Sequence, residues 1–187
     1  QAIRKNTVLV IVNHASNVIG TVQDLGAIGR ICEEEDVLFA VDAAQTAGVI
    51  PIDMEESRID FVCFTGHKGL LGPTGTGGMC VADDAPIEGT LWGGTGVRSA
   101  EPYHLEEYPY HLEAGTLNLL GIAGLSAGYD WIEARGMDGI LRHELELLGI
   151  LEEGLAGIRG VRLHGTRRLD RRVGVQDDLA GSVGLVP

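Results

Sequence analysis

Phe61-Val62-Cys63-Phe64, followed at once by Thr65-Gly66-His67-Lys68, is an apolar run that stops at a hydroxyl, a glycine, an imidazole and an amine. A short continuous apolar run reads as a strand buried in a parallel sheet, and the polar residues that close it read as groups delivered to the sheet's mouth. Two earlier runs have the same form. Val37-Leu38-Phe39-Ala40-Val41 ends in Asp42, with Gln45 just beyond, and Val8-Leu9-Val10-Ile11-Val12 leads into Asn13-His14-Ala15-Ser16-Asn17. Gly78-Met79-Cys80-Val81-Ala82 reads as a fourth strand, entered from a glycine-rich loop.

Helical periodicity fills the intervals. Leu25, Ile28, Ile31 and Cys32 recur at helical spacing over residues 24–35, with Glu33-Glu34-Glu35 as a wet end. Residues 119–134 form a Gly- and Ala-rich helical stretch suited to close packing. Residues 137–158 carry a stronger stripe of Ile140, Leu141, Leu145, Leu148, Leu151, Leu155 and Ile158, long enough to bridge two subdomains. Between them, residues 83–117 lack periodicity and read as a long ordered loop, of the kind that serves a site or an interface. From Arg167 onward no element is convincing. The alternation of strand and helix predicts an α/β sheet whose functional groups gather at strand ends.

The chain has 187 residues, 44% of them hydrophobic, which is enough for one sizeable core, or for one large domain and the beginning of a second. Its formal net charge of -13 argues against binding nucleic acid or an anionic membrane, because polyanions are held by basic surfaces. No apolar run approaches the ~20 residues of a membrane span, and Gln1-Ala2-Ile3-Arg4-Lys5 is not followed by a signal-like segment, so a cytoplasmic location is expected. Cys32, Cys63 and Cys80 lack C-x-x-C spacing and read as small buried hydrophobes. His14, His104, His111, His143 and His164 fall at no metal-ligand spacing, so no metal site is expected.

The strand ends carry the chemistry. A lysine at the mouth of a parallel sheet can condense with an aldehyde when its neighbours supply it as free amine. A carboxylate such as Asp42 can hold a ring nitrogen as pyridinium, and raising that nitrogen's pKa by about two units takes roughly 2.7 kcal/mol, within reach of one partly buried charged hydrogen bond. Thr65 and His67, flanking Gly66, can donate to a phosphate where glycine lets the backbone approach. The run Gly72-Pro73-Thr74-Gly75-Thr76-Gly77-Gly78 invites a nucleotide-loop reading but fails it: such a loop places its lysine after the glycines and opens a helix, whereas Lys68 precedes them and a strand follows.

Four strings taken together are more specific than any residue alone: 13–21 (Asn-His-Ala-Ser-Asn-Val-Ile-Gly-Thr), Val41-Asp42-Ala43-Ala44-Gln45, Phe64-Thr65-Gly66-His67-Lys68 and Gly72-Pro73-Thr74-Gly75. In order and spacing they resemble the cysteine desulfurases and selenocysteine lyases of the class V aminotransferase group. The resemblance continues through Glu113-Ala114-Gly115-Thr116-Leu117-Asn118 and the following helix, over roughly residues 5–165.

That resemblance implies pyridoxal 5'-phosphate as cofactor. It also implies a fold: part of the large domain of a fold type I enzyme, a three-layer α/β/α sheet, over residues 1–135, with a linking helix and the start of the small domain over 136–187. Lys68 is then the catalytic lysine that forms the Schiff base, Asp42 the partner of the pyridine nitrogen and Gln45 the group at the phenolic oxygen. Asn17 lies near that oxygen and the substrate carboxylate, Thr65 and His67 hold the phosphate, and His14 supports this set from behind. Thr116 reaches the phosphate of a neighbouring subunit, which implies a homodimer with shared sites. The reaction implied removes sulfur or selenium from L-cysteine or L-selenocysteine to leave L-alanine, with a sulfur-acceptor protein as a further partner. The family's additional phosphate loop, ring-stacking group, nucleophilic-cysteine loop and carboxylate-binding arginine have no counterpart in this chain, which is expected to be a fragment. Two other readings stay open: a transaminase or lyase of the same group, and an inactive remnant that binds cofactor or dimerises.

Overall fold

A computed structural model describes residues 2–174 apart from 99, 162 and 167. Four strands make one sheet in the order β1 (Leu9–Asn13), β2 (Leu38–Asp42), β3 (Phe61–Thr65), β4 (Gly77–Val81). The first three run parallel, with Asn13 beside Asp42 and Asp42 beside Cys63, and β4 returns antiparallel with Gly77 against Thr65. Helix α1 (Leu25–Glu34) crosses from β1 to β2, and its first turn is capped by the Asp24 carboxylate accepting from Ala27 N at 2.9 Å. After the loop comes α2 (Leu119–Arg135), then α3 (Met137–Ala156), separated by Gly136 at φ 81.

The core lies on one face of the sheet. Phe39, Val41 and Val62 point to Leu25 and Cys32 of α1 and to Ile59, with Val10, Val12 and Ile28 packed around them. The opposite face is open among the described residues: Ile11 is 68% exposed and Met79 43%. The expectation of a fully buried first strand is therefore corrected. Residues of one strand alternate between faces, and only the Val10–Val12 side has a helix to bury against.

Helix α2 owes its glycines to proximity. Gly121, Gly124 and Gly128 share one face and pack on the loop between β3 and β4. An added Cβ at Gly128 would sit 2.5 Å from Leu70 O, and one at Gly124 3.1 Å from Pro73. The stripe on α3 is only partly used: Leu148 is buried and Leu141 packs on Ala15, Val49 and Val173, while Leu151 and Ile158 stay exposed and the helix stops at Ala156.

The end of the described chain holds an element that the sequence reading lacked. Leu169–Arg171 forms a short 3-10 turn, Arg172 bridges Thr21, Val173 N donates to Gly20 O at 3.0 Å, and the buried Arg172 side chain pairs with Glu152 of α3. This segment ties α3 to the loop after β1. Residues 175–187 of the proposed small-domain portion lie outside the described residues.

Two glycines of opposite packing test this account. Gly128→Ala is expected to lower stability by about 1–3 kcal/mol, because its methyl meets backbone that must shift. Gly149→Ala, with nothing within 4 Å of the new methyl, is expected to raise it by up to about 1 kcal/mol. Urea unfolding of both variants measures the difference, and equal shifts would contradict the packing of α2.

Candidate active site

Parallel pairing sets the carboxyl ends of β1, β2 and β3 side by side, and each end carries polar residues named above. Asp42 is the last residue of β2, half-buried, and its Oδ1 accepts from Ala44 N at 2.9 Å, which leaves Oδ2 for a ligand. Gln45 follows in a turn closed by Thr46 N and Ala47 N donating to Ala43 O at 2.9 and 2.8 Å. Asn17 rides exposed on the loop after β1, where Ser16 Oγ accepts from Val18 N and Ile19 N, each at 3.2 Å.

Thr65 closes β3. Its hydroxyl meets His67 Nδ1 at 2.8 Å, so two groups expected to hold a phosphate already lie together on one exposed turn. Lys68 comes next and is exposed. Its turn is tightly drawn: Leu71 N donates to Lys68 O at 2.9 Å and Gly72 N to Gly66 O at 2.7 Å, with Leu71 held at φ 58. That left-handed conformation costs a leucine on the order of 1 kcal/mol, and the hydrogen bonds of the turn hold it there. A Cβ at Gly66 would collide with Thr76 Oγ1. The chain contains only two lysines, Lys68 and the exposed Lys5 near its start.

Six of the seven expected site residues thus share one edge of the sheet: Asn17, Asp42, Gln45, Thr65, His67 and Lys68. Thr116 does not join them. It is exposed, two residues before the Asn118 cap of α2, and among the described residues no hydrogen bond links it to the strand-end set.

The strand-end groups fit a phosphorylated pyridine aldehyde. They supply an amine, a carboxylate with one oxygen uncommitted, and a hydroxyl and imidazole on a glycine turn. The other end of the sheet does not. A cavity of about 790 Å³ there is lined by Glu33, Asp36, Glu55, Asp60, Asp83 and Asp84, and its Arg58 is engaged with Glu33 at 2.5 Å, so a phosphate would meet net negative charge. The thiols offer no activated nucleophile at Cys32 or Cys63. Cys32 is buried, whereas Cys63 and Cys80 are exposed, which corrects the expectation of three buried thiols; partial desolvation still pushes the Cys32 and Cys63 thiols upward, with Asp60 adding to the first and Asp42 to the second. Among the described residues no group of three or more His, Cys, Asp or Glu side chains could hold a metal ion, and no helix is long and apolar enough to cross a membrane.

One partner escaped the sequence reading. His14 is buried, and its Nδ1 lies 2.8 Å from the hydroxyl of Thr46, which is wholly buried. A threonine 32 residues away carries no sequence signal of that contact. Burial lowers the His14 pKa to about 4.

Comparison with known proteins identifies the family and the fold. The aminotransferase class-V family model matches residues 1–176. A probable cysteine desulfurase of Methanothermobacter thermautotrophicus is 39% identical over 168 residues, covering 88% of this chain and 42% of that protein. The cysteine desulfurase IscS of Vibrio atlanticus is 34% identical over 174 residues, covering 92% of this chain and 39% of that protein. The apo structure of a cysteine desulfurase from Thermococcus onnurineus NA1 superposes with a TM-score of 0.75 at 35% identity, over 89% of this chain and 42% of that one. That of the Escherichia coli cysteine desulfurase CsdA gives 0.78 at 30% identity, over 86% and 41%. This chain therefore spans about two fifths of the length of the relatives it matches.

The buried imidazole makes a pH test. With a folded pKa of about 4 and an unfolded value near 6.5, the unfolded chain binds the extra proton first, so stability present above about pH 6.5 is lost as pH falls toward 4. Wild type is expected to lose roughly 2–3 kcal/mol more than His14→Asn across that window. Equal losses by urea unfolding would contradict the assignment.

Proposed function

Because this chain belongs to the class V aminotransferase family, we propose that it is the Lys68-bearing core of a pyridoxal-phosphate-dependent cysteine desulfurase, which takes sulfur from L-cysteine and leaves L-alanine. Members of the family depend on that cofactor, and the observation that carries the reading for this chain is the convergence of Lys68, Asp42 and the Thr65–His67 pair on one edge of the sheet. When bound, pyridoxal phosphate supplies an aldehyde that captures amines and a ring that accepts the electron pair of a carbanion.

The chain's own groups divide the remaining work. Thr65 and His67 would hold phosphate oxygens from their shared turn: with their mutual bond kept, His67 Nε2–H donates outward when the threonine hydroxyl donates to Nδ1, and the hydroxyl donates outward when Nδ1–H donates to it. Asp42, with Oδ1 committed to Ala44 N, offers Oδ2 to a ring N–H and keeps that proton in place. Gln45 and Asn17 would present amides to the phenolic oxygen, and Asn17 would also contact the substrate carboxylate. Lys68 Nζ would hold the cofactor's aldehyde carbon, and its free amine would serve as general base and acid at the substrate carbon. Cys32 lies on α1, Cys63 within β3 and Cys80 within β4, so none of them is assigned as the sulfur-accepting thiol, which would be a cysteine outside this chain.

The finer parts of the reading have separate support. Thr116, exposed and unlinked to the local set, is available to a neighbouring subunit, in keeping with a homodimer that shares its sites. L-selenocysteine joins L-cysteine as substrate because the two differ only at the γ atom, which none of the strand-end groups is assigned to read. A sulfur-acceptor protein is the expected partner. Three free thiols, two of them exposed, suit a reducing cytoplasm. The division between a large-domain part, 1–135, and a small-domain part from 136 rests on Gly136, where the chain turns between α2 and α3.

Protein carrying this chain, mixed with pyridoxal phosphate, is expected to gain a visible absorption band that Lys68→Ala abolishes, and in the whole enzyme to release alanine from cysteine. A band that survives Lys68→Ala would refute the assignment. Asp42→Ala is expected to weaken cofactor retention at least about tenfold, the scale of one charged hydrogen bond. Asp53→Ala, at an exposed turn where Asp53 accepts from Glu56 N, is expected to leave retention unchanged. Equal losses in a dialysis assay would mean the ring has been misplaced.

A further inference from the structure

We propose that His14 and Thr46 form a buried positioning pair that fixes the Asn17 loop against the turn bearing Asp42 and Gln45; the proposal rests on the cofactor site described above.

His14 leaves β1 with both backbone groups engaged: its N–H donates to Asp42 O at 2.9 Å and its carbonyl accepts from Gln23 N at 2.8 Å. Beyond it the chain doubles back on itself. Ala15 bridges Val22, Ser16 N donates to Thr21 O at 3.0 Å, and Gly20 N donates to Ser16 O at 3.1 Å, with Asn17 at the tip. Apart from the backbone bond at Asp42 and the packing of Ala15 on Val49, these bonds are internal to the Asn17 loop, and a side-chain tie to the Gln45 turn is still needed. The His14 ring supplies it, by reaching Thr46 Oγ1 at 2.8 Å.

Thr46 is well placed to receive it. It is adjacent to Gln45, wholly buried, and its carbonyl accepts from Val49 N and Ile50 N, each at 2.9 Å. The same turn supports the lysine loop: a Cβ on Gly48 would sit 2.5 Å from Gly69 O, and one on Gly69 2.6 Å from Ala47 O. One rigid turn thus abuts the Lys68 loop by close backbone packing and holds the Asn17 loop by a side-chain hydrogen bond.

A purely space-filling role would be met better by apolar side chains, because an imidazole and a hydroxyl lose hydrogen bonds to water on burial and must replace them with bonds inside the protein. Burial keeps the ring neutral, so one nitrogen donates and the other accepts. The Thr46 hydroxyl also lies 3.5 Å from Ala43 O, so when it donates there it accepts from His14 Nδ1–H.

The consequence is a geometric one. Asn17 and Gln45 approach the same phenolic oxygen from two loops, and this bond sets their spacing. Thr46→Val keeps the volume and removes the bond; Thr46→Ser keeps the hydroxyl. In protein loaded with pyridoxal phosphate, the ratio of long- to short-wavelength absorbance reports the proton on the phenolic oxygen. Thr46→Val is expected to change that ratio at least about twofold and to weaken cofactor retention about tenfold, the effect of orphaning one buried polar group, while Thr46→Ser returns both toward wild type. Should Thr46→Val fail to fold, His14→Asn against His14→Leu gives the same comparison, since asparagine retains a hydrogen-bonding group in place of Nδ1. An unmoved ratio and affinity in Thr46→Val or His14→Leu, or losses as large with serine or asparagine, would overturn the positioning role alone. A wild-type protein with no Lys68-dependent band would overturn the cofactor reading, and this proposal with it.

Discussion

Parallel pairing of β1, β2 and β3 is the constraint on which the rest depends. It obliges three chain segments to finish at one edge, and there the sequence changes from apolar to polar: Asn13 to Asn17, Asp42 to Gln45, Thr65 to Lys68. Among the described residues the sheet is buried by α1 on one side only, so the hydrophobic contribution of Phe39, Val41 and Val62 holds the register. A slip of one residue would turn Asp42 to the opposite face and bury its carboxylate in the core.

From that edge outward, close backbone contact does more than side-chain bonding. Gly72 meets Gly66 within the Lys68 loop, Gly48 meets Gly69, and the glycine face of α2 lies on Leu70 and Pro73, so the loop is closed on itself and packed against two other parts of the chain. Such packing suits a lysine that must be held by its backbone while its amine remains mobile. The return of Arg172 and Val173 to the Thr21 and Gly20 backbone adds a further tie, joining α3 to the loop that carries Asn17.

The strands and the six strand-end residues were legible in the sequence because strand composition and the polar residues that end each run are local signals. Helix ends at Glu34 and Ala156 fell within one or two residues of the periodicity for the same reason. What the sequence hid was non-local. The reversal of β4 follows from the geometry of the 66–76 loop, the open face of β1 from the presence of one covering helix instead of two, and the His14–Thr46 bond from a fold that brings residues 32 positions apart together. The docking of Val173 was equally invisible, since the short polar stretch around it carries too few apolar residues to define an element. Thr116 marks the other limit: its expected role lies on a second subunit, and nothing within one chain reports it.

The central claim, that this sheet edge presents Lys68 to an aldehyde cofactor, is tested most directly by chemical trapping. The protein would be loaded with pyridoxal phosphate, reduced with borohydride, digested and mapped by mass spectrometry. With only two lysines in the chain the result is binary. The account predicts the phosphopyridoxyl group on the peptide containing Lys68, and its absence from the peptide containing Lys5. A label confined to Lys5, or no label on either, would contradict it.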